Sequence, residues 1–252
     1  MPLRVLILGG TTEASALAKL VSQDTGIDAT LSFAGRTANP APQPIATRSG
    51  GFGSVDGLMR YLGEQRIEAV VDATHPFADQ ISAHAVVACA QVKVPLASLT
   101  RPPWKRVEGD RWRNVPDAGT AAAALGNTAH RVFLSVGRQD LRAFTAAPRP
   151  HYVARVIEMP DRLKITHLKL IQARGPFDKA AELDLLREEK IDVLVSKNAG
   201  GSATYAKIEA ARELGLPVIM IARPHKPAGD VVASPEEALG WLHERAPSLR
   251  GV

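Results

Sequence analysis

Residues 67–102 read IEAVVDATHPFADQISAHAVVACAQVKVPLASLTRP, and residues 191–224 read IDVLVSKNAGGSATYAKIEAARELGLPVIMIARP. Each stretch holds an apolar run, a loop of small residues, a helical pattern, a turn before a proline, a second apolar run and a closing Arg-Pro. That order of strand, helix and strand is the signature of a parallel α/β unit, so the chain carries two related units. A second echo pairs VLILGGTTEASAL at 5–17 with VFLSVGRQDLRAF at 132–144, each an apolar strand followed by a glycine-bearing turn and a helical pattern. The repeat spans about half the chain, far beyond the periods of solenoids. Open parallel sheets bind ligands at the carboxyl ends of their strands, so the doubling predicts two facing sites, one per half.

Working outward, strands are expected at 3–8, 28–33, 44–47, 67–72 and 95–99, with helices after Gly9-Gly10 and near 54–65 and 78–91. The segment RPPWKRVEGDRWRNVP at 101–116 has prolines at both ends and an EGD turn, which predicts a linking hairpin. Strands then follow near 131–136, 151–157, 165–172, 191–195 and 217–221, with helices near 118–126, 138–144, 178–189 and 203–214. Ser234-Pro235-Glu236-Glu237 is a capping box with proline at the first helical position, and 222–233 is a loop with room for a short strand at 230–233. The predicted fold class is therefore α/β with parallel sheets, divided into a domain at 1–115 and a domain at 116–252.

The net charge of +5 is spread along the chain: 12 Lys/Arg against 10 Asp/Glu in 1–115, and 19 against 16 in 116–252. A spread-out excess argues against a nucleic-acid arm and suits either an ordinary basic surface or a pocket for a small anion. The single Cys89 excludes an intrachain disulfide and a cysteine zinc site, and its apolar helical setting predicts a buried small hydrophobe. No metal site is expected. The start of the chain lacks a signal-peptide pattern, and no apolar run approaches the roughly 20 residues that span a bilayer. A soluble, cytoplasmic protein without a membrane partner is expected.

Gly9-Gly10-Thr11-Thr12-Glu13 follows the first strand without the full GxGxxG spacing. Glycines still admit a pyrophosphate, helix-start amides still favour an anion, and the threonines offer hydroxyls; a plain capped turn is the alternative. In dinucleotide-binding sheets an acid near the end of the second strand takes the ribose hydroxyls, whereas a base accommodates a 2′-phosphate. Here SFAGRT at 32–37 places Arg36 there, which favours NADPH over NADH. Arg48-Ser49-Gly50-Gly51 is a basic, glycine-rich loop, read equally as lying beside the ribose or nicotinamide or as a surface loop. Thr74 and His75 follow the strand at 67–72. They either cap a helix begun by Pro76 or face the nicotinamide, with His75 as proton donor or substrate ligand.

By internal alignment Ser196 to Gly201 take the place of Ala73 to Ala78, so Lys197, Asn198 and Gly200 lie at the mouth of the second sheet. Arg101 and Arg223 are equivalent, each closing its copy beside a proline. Arg138, Arg155, Arg174, Lys207 and Lys226 also fall near strand ends or helix starts. Each by itself is most often a solvated charge. As a set they suit a ligand with several carboxylates, because charge-assisted hydrogen bonds from arginine are strong and well oriented.

ILGGTTEA at the start, DATHPFA at 72–78, RGPFD at 174–178 and SKNAGG with the following AKIEAARELGLPVIMIARP resemble the precorrin-6A reductases of cobalamin biosynthesis. The motifs run in order from one end of the chain to the other. The resemblance implies two Rossmann-like domains with their last strands exchanged between sheets, one domain for NADPH and one for an anionic tetrapyrrole. It also implies an oxidoreductase acting on CH–CH groups, passing hydride from NADPH to carbon 19 of precorrin-6A, with hand-over of the product to the next enzyme. Arg174 departs from the glutamine common at that place in the family. None of Tyr61, Tyr152 and Tyr205 has lysine four positions on, which sets the chain apart from ketone-reducing short-chain dehydrogenases. Two other readings stand beside this one: a non-catalytic NADP(H)-sensing module, and a two-domain transferase acting on an anionic sugar nucleotide.

Overall fold

The structure, a computed structural model, describes residues 1–35, 41–160, 163–227 and 229–246. The described residues fall into two compact units, one of 1–102 with 225–252 and the other of 103–224.

Unit 1 is built on a six-stranded, all-parallel sheet. In chain order its strands are β1 (Leu3–Leu8), β2 (Ile27–Phe33), β3 (Ala46–Ser49), β4 (Ala69–Asp72) and β5 (Leu96–Leu99), joined late by β12 (Asp230–Val232). Across the sheet they run β12-β5-β4-β1-β2-β3. Strand β1 is buried on both faces, as a central parallel strand must be. Val5 and Ile7 join the core under helices α1 (Thr12–Val21) and α7 (Pro235–His243). Leu6 and Leu8 join the core under α2 (Val55–Glu64) and α3 (Asp79–Val92).

Unit 2 repeats the plan. Its sheet contains β6 (Arg111–Val115), β7 (Arg131–Ser135), β8 (His151–Val156), β9 (Leu168–Gln172), β10 (Val193–Lys197) and β11 (Pro217–Ile221), in the order β6-β11-β10-β7-β8-β9. Helices α5 (Lys179–Glu188) and α6 (Ala206–Glu213) cover one face, Leu186 and Ile208 joining Met220 of the sheet in one core. Helix α4 (Ala118–Ala124) packs against a 3-10 helix at Asp140–Ala146, where the sequence pattern predicts an α-helix.

The expected exchange of strands is present and reciprocal. Strand β6, which follows β5 in the chain, pairs with β11 in unit 2, and β12, which follows β11, pairs with β5 in unit 1. Each exchanged strand runs into a capped helix. Asp117 accepts from the Thr120 amide at 2.7 Å and Ser234 from the Glu237 amide at 3.1 Å. The segment 101–116 is therefore not a hairpin: its second arm is a parallel edge strand of unit 2. For the same reason the compact units differ from the continuous halves 1–115 and 116–252, because β6 leaves the first half and β12 leaves the second.

Register corrects one internal alignment. Leu8 pairs with Asp72, and Ser135 pairs with Ser196, while Val5 and Val132 hold equivalent places in β1 and β7. Ser196 is thus the counterpart of Asp72 rather than of Ala73, Lys197 answers to Ala73, and Asn198 answers to Thr74. Arg101 and Arg223 remain equivalent: the adjoining Thr100 and Ala222 amides donate to Val232 and Val115, the ends of the two exchanged strands.

Candidate functional site

In unit 1 the glycine turn sits at the carboxyl end of β1. A Cβ on Gly9 would stand 2.5 Å from Leu31 Cδ1, so the turn is packed hard against the sheet behind it. Gly10 has φ +115° with nothing within 4 Å of where its Cβ would lie, so the turn is open in front and requires glycine. Thr11 caps α1, accepting from the Ala14 amide at 3.1 Å and donating to the Ala73 carbonyl at 2.7 Å. This ties the turn to the loop after β4. A backbone bare on its open side, leading into a helix start, fits a dinucleotide pyrophosphate.

Thr12 Oγ1 donates to Glu13 Oε2 at 3.0 Å, and Arg101 Nη1 meets the same oxygen at 2.5 Å. Thr11, Glu13, Thr74, Pro76, Thr100 and Arg101 line one shallow depression. Arg101, expected on the substrate, therefore belongs to the neighbourhood of the glycine turn.

The loop after β4 is held from below by Asp72, 1 % exposed. Asp72 Oδ1 accepts from the Thr74 amide at 3.0 Å and from its hydroxyl at 2.6 Å, while Lys226 Nζ lies 3.2 Å from Oδ2 and 3.1 Å from Thr74 Oγ1. Neither Thr74 nor His75 caps a helix: α3 begins at Asp79, and His75 Nδ1 accepts from the Phe77 amide at 3.2 Å in the turn before it. Pro76 is therefore not at a first helical position. Asp72 went unremarked in the sequence, although a carboxylate closing an apolar strand was a usable signal.

At the end of β2, Arg48 Nη1 donates to Ser32 Oγ at 2.7 Å, and its guanidinium lies 4.0 Å from the Phe52 ring centroid and 5.0 Å from that of Tyr61. The Gly51 carbonyl accepts weakly from the same arginine at 3.4 Å. Arg36 lies outside the described residues.

Unit 2 repeats the charge pattern at its own glycine turn. Asp140 holds the place that Glu13 holds in unit 1, and it forms an ion pair with Lys197. Gly200 and Gly201, at φ +68° and +70°, turn the following loop in a way only glycine adopts readily. Asn198 clamps the main chain of Trp104, accepting from its amide at 2.8 Å and donating to its carbonyl at 3.0 Å. Trp104 Nε1 donates to the Gly201 carbonyl at 2.7 Å. Arg223 donates to the Asn198 and Ala199 carbonyls at 2.9 Å each.

These contacts sort the expected substrate residues. Arg138 is exposed beside the turn and Lys197 faces Asp140 at the carboxyl edge. Asn198 and Arg223 shape the loop itself. Arg155 is drawn inward: its guanidinium lies 2.5 Å from Glu182, which is 1 % exposed, and 3.9 Å from the Phe177 ring centroid. Lys226 belongs to unit 1. Among the described residues no group of three or more His, Cys, Asp or Glu side chains could hold a metal, and no helix is long and apolar enough to cross a membrane.

A family model described as Precorrin-6x reductase CbiJ/CobK matches residues 4–243. The precorrin-6A reductase of Rhodobacter capsulatus is 50% identical over 250 residues, covering 99% of both chains. That of Sinorhizobium sp is 48% identical over 248 residues, 97% of this chain and 95% of the relative. A solved structure described as CobK precorrin-6A reductase superposes with a TM-score of 0.92 at 50% identity, covering 99% of this chain and all of that one.

Proposed function

Because the chain belongs to the precorrin-6x reductase family, we propose that it reduces precorrin-6A to precorrin-6B with NADPH, in cobalamin biosynthesis. The enzyme is an oxidoreductase acting on a CH–CH group of its substrate. When bound, the nicotinamide supplies hydride, here destined for carbon 19 of the macrocycle. The observation that carries the cofactor reading is the glycine turn, closed behind by Leu31 and open in front of Gly10.

On this reading the backbone of Gly9 to Thr12 binds the pyrophosphate, with Arg101 cancelling the Glu13 charge that would repel it. Arg48, on β3, stands beside the end of β2, where a base accepts a 2′-phosphate, and is held by Ser32 and the Phe52 ring. The Thr74-His75 loop orients the nicotinamide. Since His75 Nδ1 accepts from the Phe77 amide, the neutral ring carries its proton on Nε2, which on this reading is the donor to substrate. In unit 2, Arg138 and Lys197 meet substrate carboxylates over the loop shaped by Gly200, Asn198 and Arg223. Much of the catalysis then comes from holding donor and acceptor together and excluding water. Relatives named as reductases support an enzyme over a silent NADP(H) sensor, and the higher identity to precorrin-6A reductases (50% and 48%) than to those named for cobalt-precorrin-6A (30% and 27%) supports the metal-free substrate.

The test is NADPH absorbance on adding precorrin-6A, with cobalt-precorrin-6A and NADH as comparisons. Oxidation of NADPH with metal-free precorrin-6A supports the reading; binding of NADPH without turnover of either tetrapyrrole overturns it. Arg48→Glu should remove the preference for NADPH over NADH, and an unchanged ratio would take Arg48 out of the 2′-phosphate site.

A further inference from the structure

The segment entering unit 1 from β11 seats itself through one partly buried side chain. Lys226, with 13% side-chain exposure, spans Asp72 Oδ2 and Thr74 Oγ1, while Asp72 Oδ1 takes the Thr74 amide and hydroxyl. Three bonds thus converge on Thr74, the residue immediately before His75. The mirror segment entering unit 2 does the same by other means: Trp104, three residues after Arg101 as Lys226 is three after Arg223, is clamped by Asn198, the counterpart of Thr74. A lysine is a costly way to seat a chain merely for stability. Burying an ion pair loses about as much in desolvation as it gains, and apolar residues there often serve as well or better. What the ion pair adds is direction, since its hydrogen bonds fix where Thr74 stands.

We propose that Lys226 is a positioning residue for the reduction, holding the Thr74-His75 loop through Asp72 at the dinucleotide site while touching neither ligand. The proposal rests on the cofactor reading above and replaces the expectation that Lys226 meets a substrate carboxylate.

The test uses the full chain with Lys226→Met, Asp72→Asn, the two combined, and Lys226→Arg. Readouts are NADPH affinity by fluorescence titration, KM for each substrate, kcat and Tm. Lys226→Met should weaken NADPH binding about five- to tenfold and lower kcat, with KM for precorrin-6A held within about twofold. Asp72→Asn should do the same, the combined variant should be no worse than Lys226→Met, and Lys226→Arg should recover most of the NADPH affinity. If Lys226→Met does not fold, the combined variant, which removes the buried charge with its partner, carries the test. A raised KM for precorrin-6A with unchanged NADPH affinity would overturn the proposal in favour of substrate contact. A lowered Tm with unchanged affinities and kcat would reduce the pair to a fold anchor. A parent protein that binds no NADPH would defeat the cofactor reading itself; normal parent binding with unresponsive variants would defeat this proposal alone.

Discussion

Arg101 Nη1 stands 2.5 Å from Glu13 Oε2, joining the end of β5 to the first turn of α1. The same relation recurs in unit 2, where Lys197 meets Asp140 at the matching place in its glycine turn. In both units an acid stands at the positive end of a helix, and a base from the carboxyl edge of the sheet cancels its charge; on the proposed reading this readies the turn of unit 1 for the cofactor phosphates.

Arg101→Ala therefore leaves Glu13 facing the phosphates. KM for NADPH should rise about tenfold, the loss of one charge-assisted contact of roughly 1.5–3 kcal/mol tempered by partial exposure. Adding Glu13→Gln should restore much of it. Steady-state kinetics decide the matter, and a rise confined to KM for precorrin-6A would make Arg101 a substrate ligand instead.

Arg155 and Glu182 form a pair of which the acid is almost wholly buried, with its second oxygen lacking a hydrogen-bond partner among the described residues. Removing the guanidinium strands that charge, so Arg155→Met should cost about 3–5 kcal/mol in urea denaturation. Arg155→Met with Glu182→Leu should recover most of the loss. A fully stable single variant with poor tetrapyrrole binding would return Arg155 to the substrate site.

Burial, with the Asp72 charge adding to it, pushes the Cys89 thiol up to about 12. A thiol so rarely ionised and 2 % exposed should resist Ellman's reagent in the native protein and react fully in denaturant. Rapid labelling without denaturant would contradict that burial.

His243, on α7, bonds Asp24 Oδ2 at 2.6 Å, and with the Gly26 amide it holds the Asp24 carboxyl below the usual carboxylate range. A group whose folded value is depressed contributes stability above its unfolded value and loses it as pH falls through the folded one. Asp24→Asn should then cost a few tenths to about 1 kcal/mol near neutrality, and the difference should vanish below the carboxylate range. Denaturation curves from neutral to acid pH measure it; a constant difference would show that ionisation is not involved.

Much of the arrangement was legible locally. The apolar runs located β1, β4, β5, β10 and β11, and the repeated Arg-Pro endings matched Arg101 to Arg223, because a buried parallel strand needs a nearly continuous apolar run. The two exchanged strands are edges and lack that run. Only Val115 of β6 and Val232 of β12 are buried, so RWRNV has the look of a hairpin arm. The one-residue slip between Ser196 and Asp72 arose in the same way: small-residue loops align at several offsets, and only hydrogen-bonded register chooses one.

By itself the sequence determined that two α/β units exist, that a glycine turn follows an apolar strand in each, β1 in one and β7 in the other, and which reductases the chain resembles. These are properties of neighbouring residues and their periodicity. The tertiary structure alone decided that Arg101 pairs with Glu13, that Arg155 pairs with Glu182, and that Lys226 reaches back to Asp72. The reason is that an ion pair between residues 27 to 154 positions apart leaves no periodic trace in the chain; it exists only where strand pairing has already brought two strand ends or helix starts to the same place.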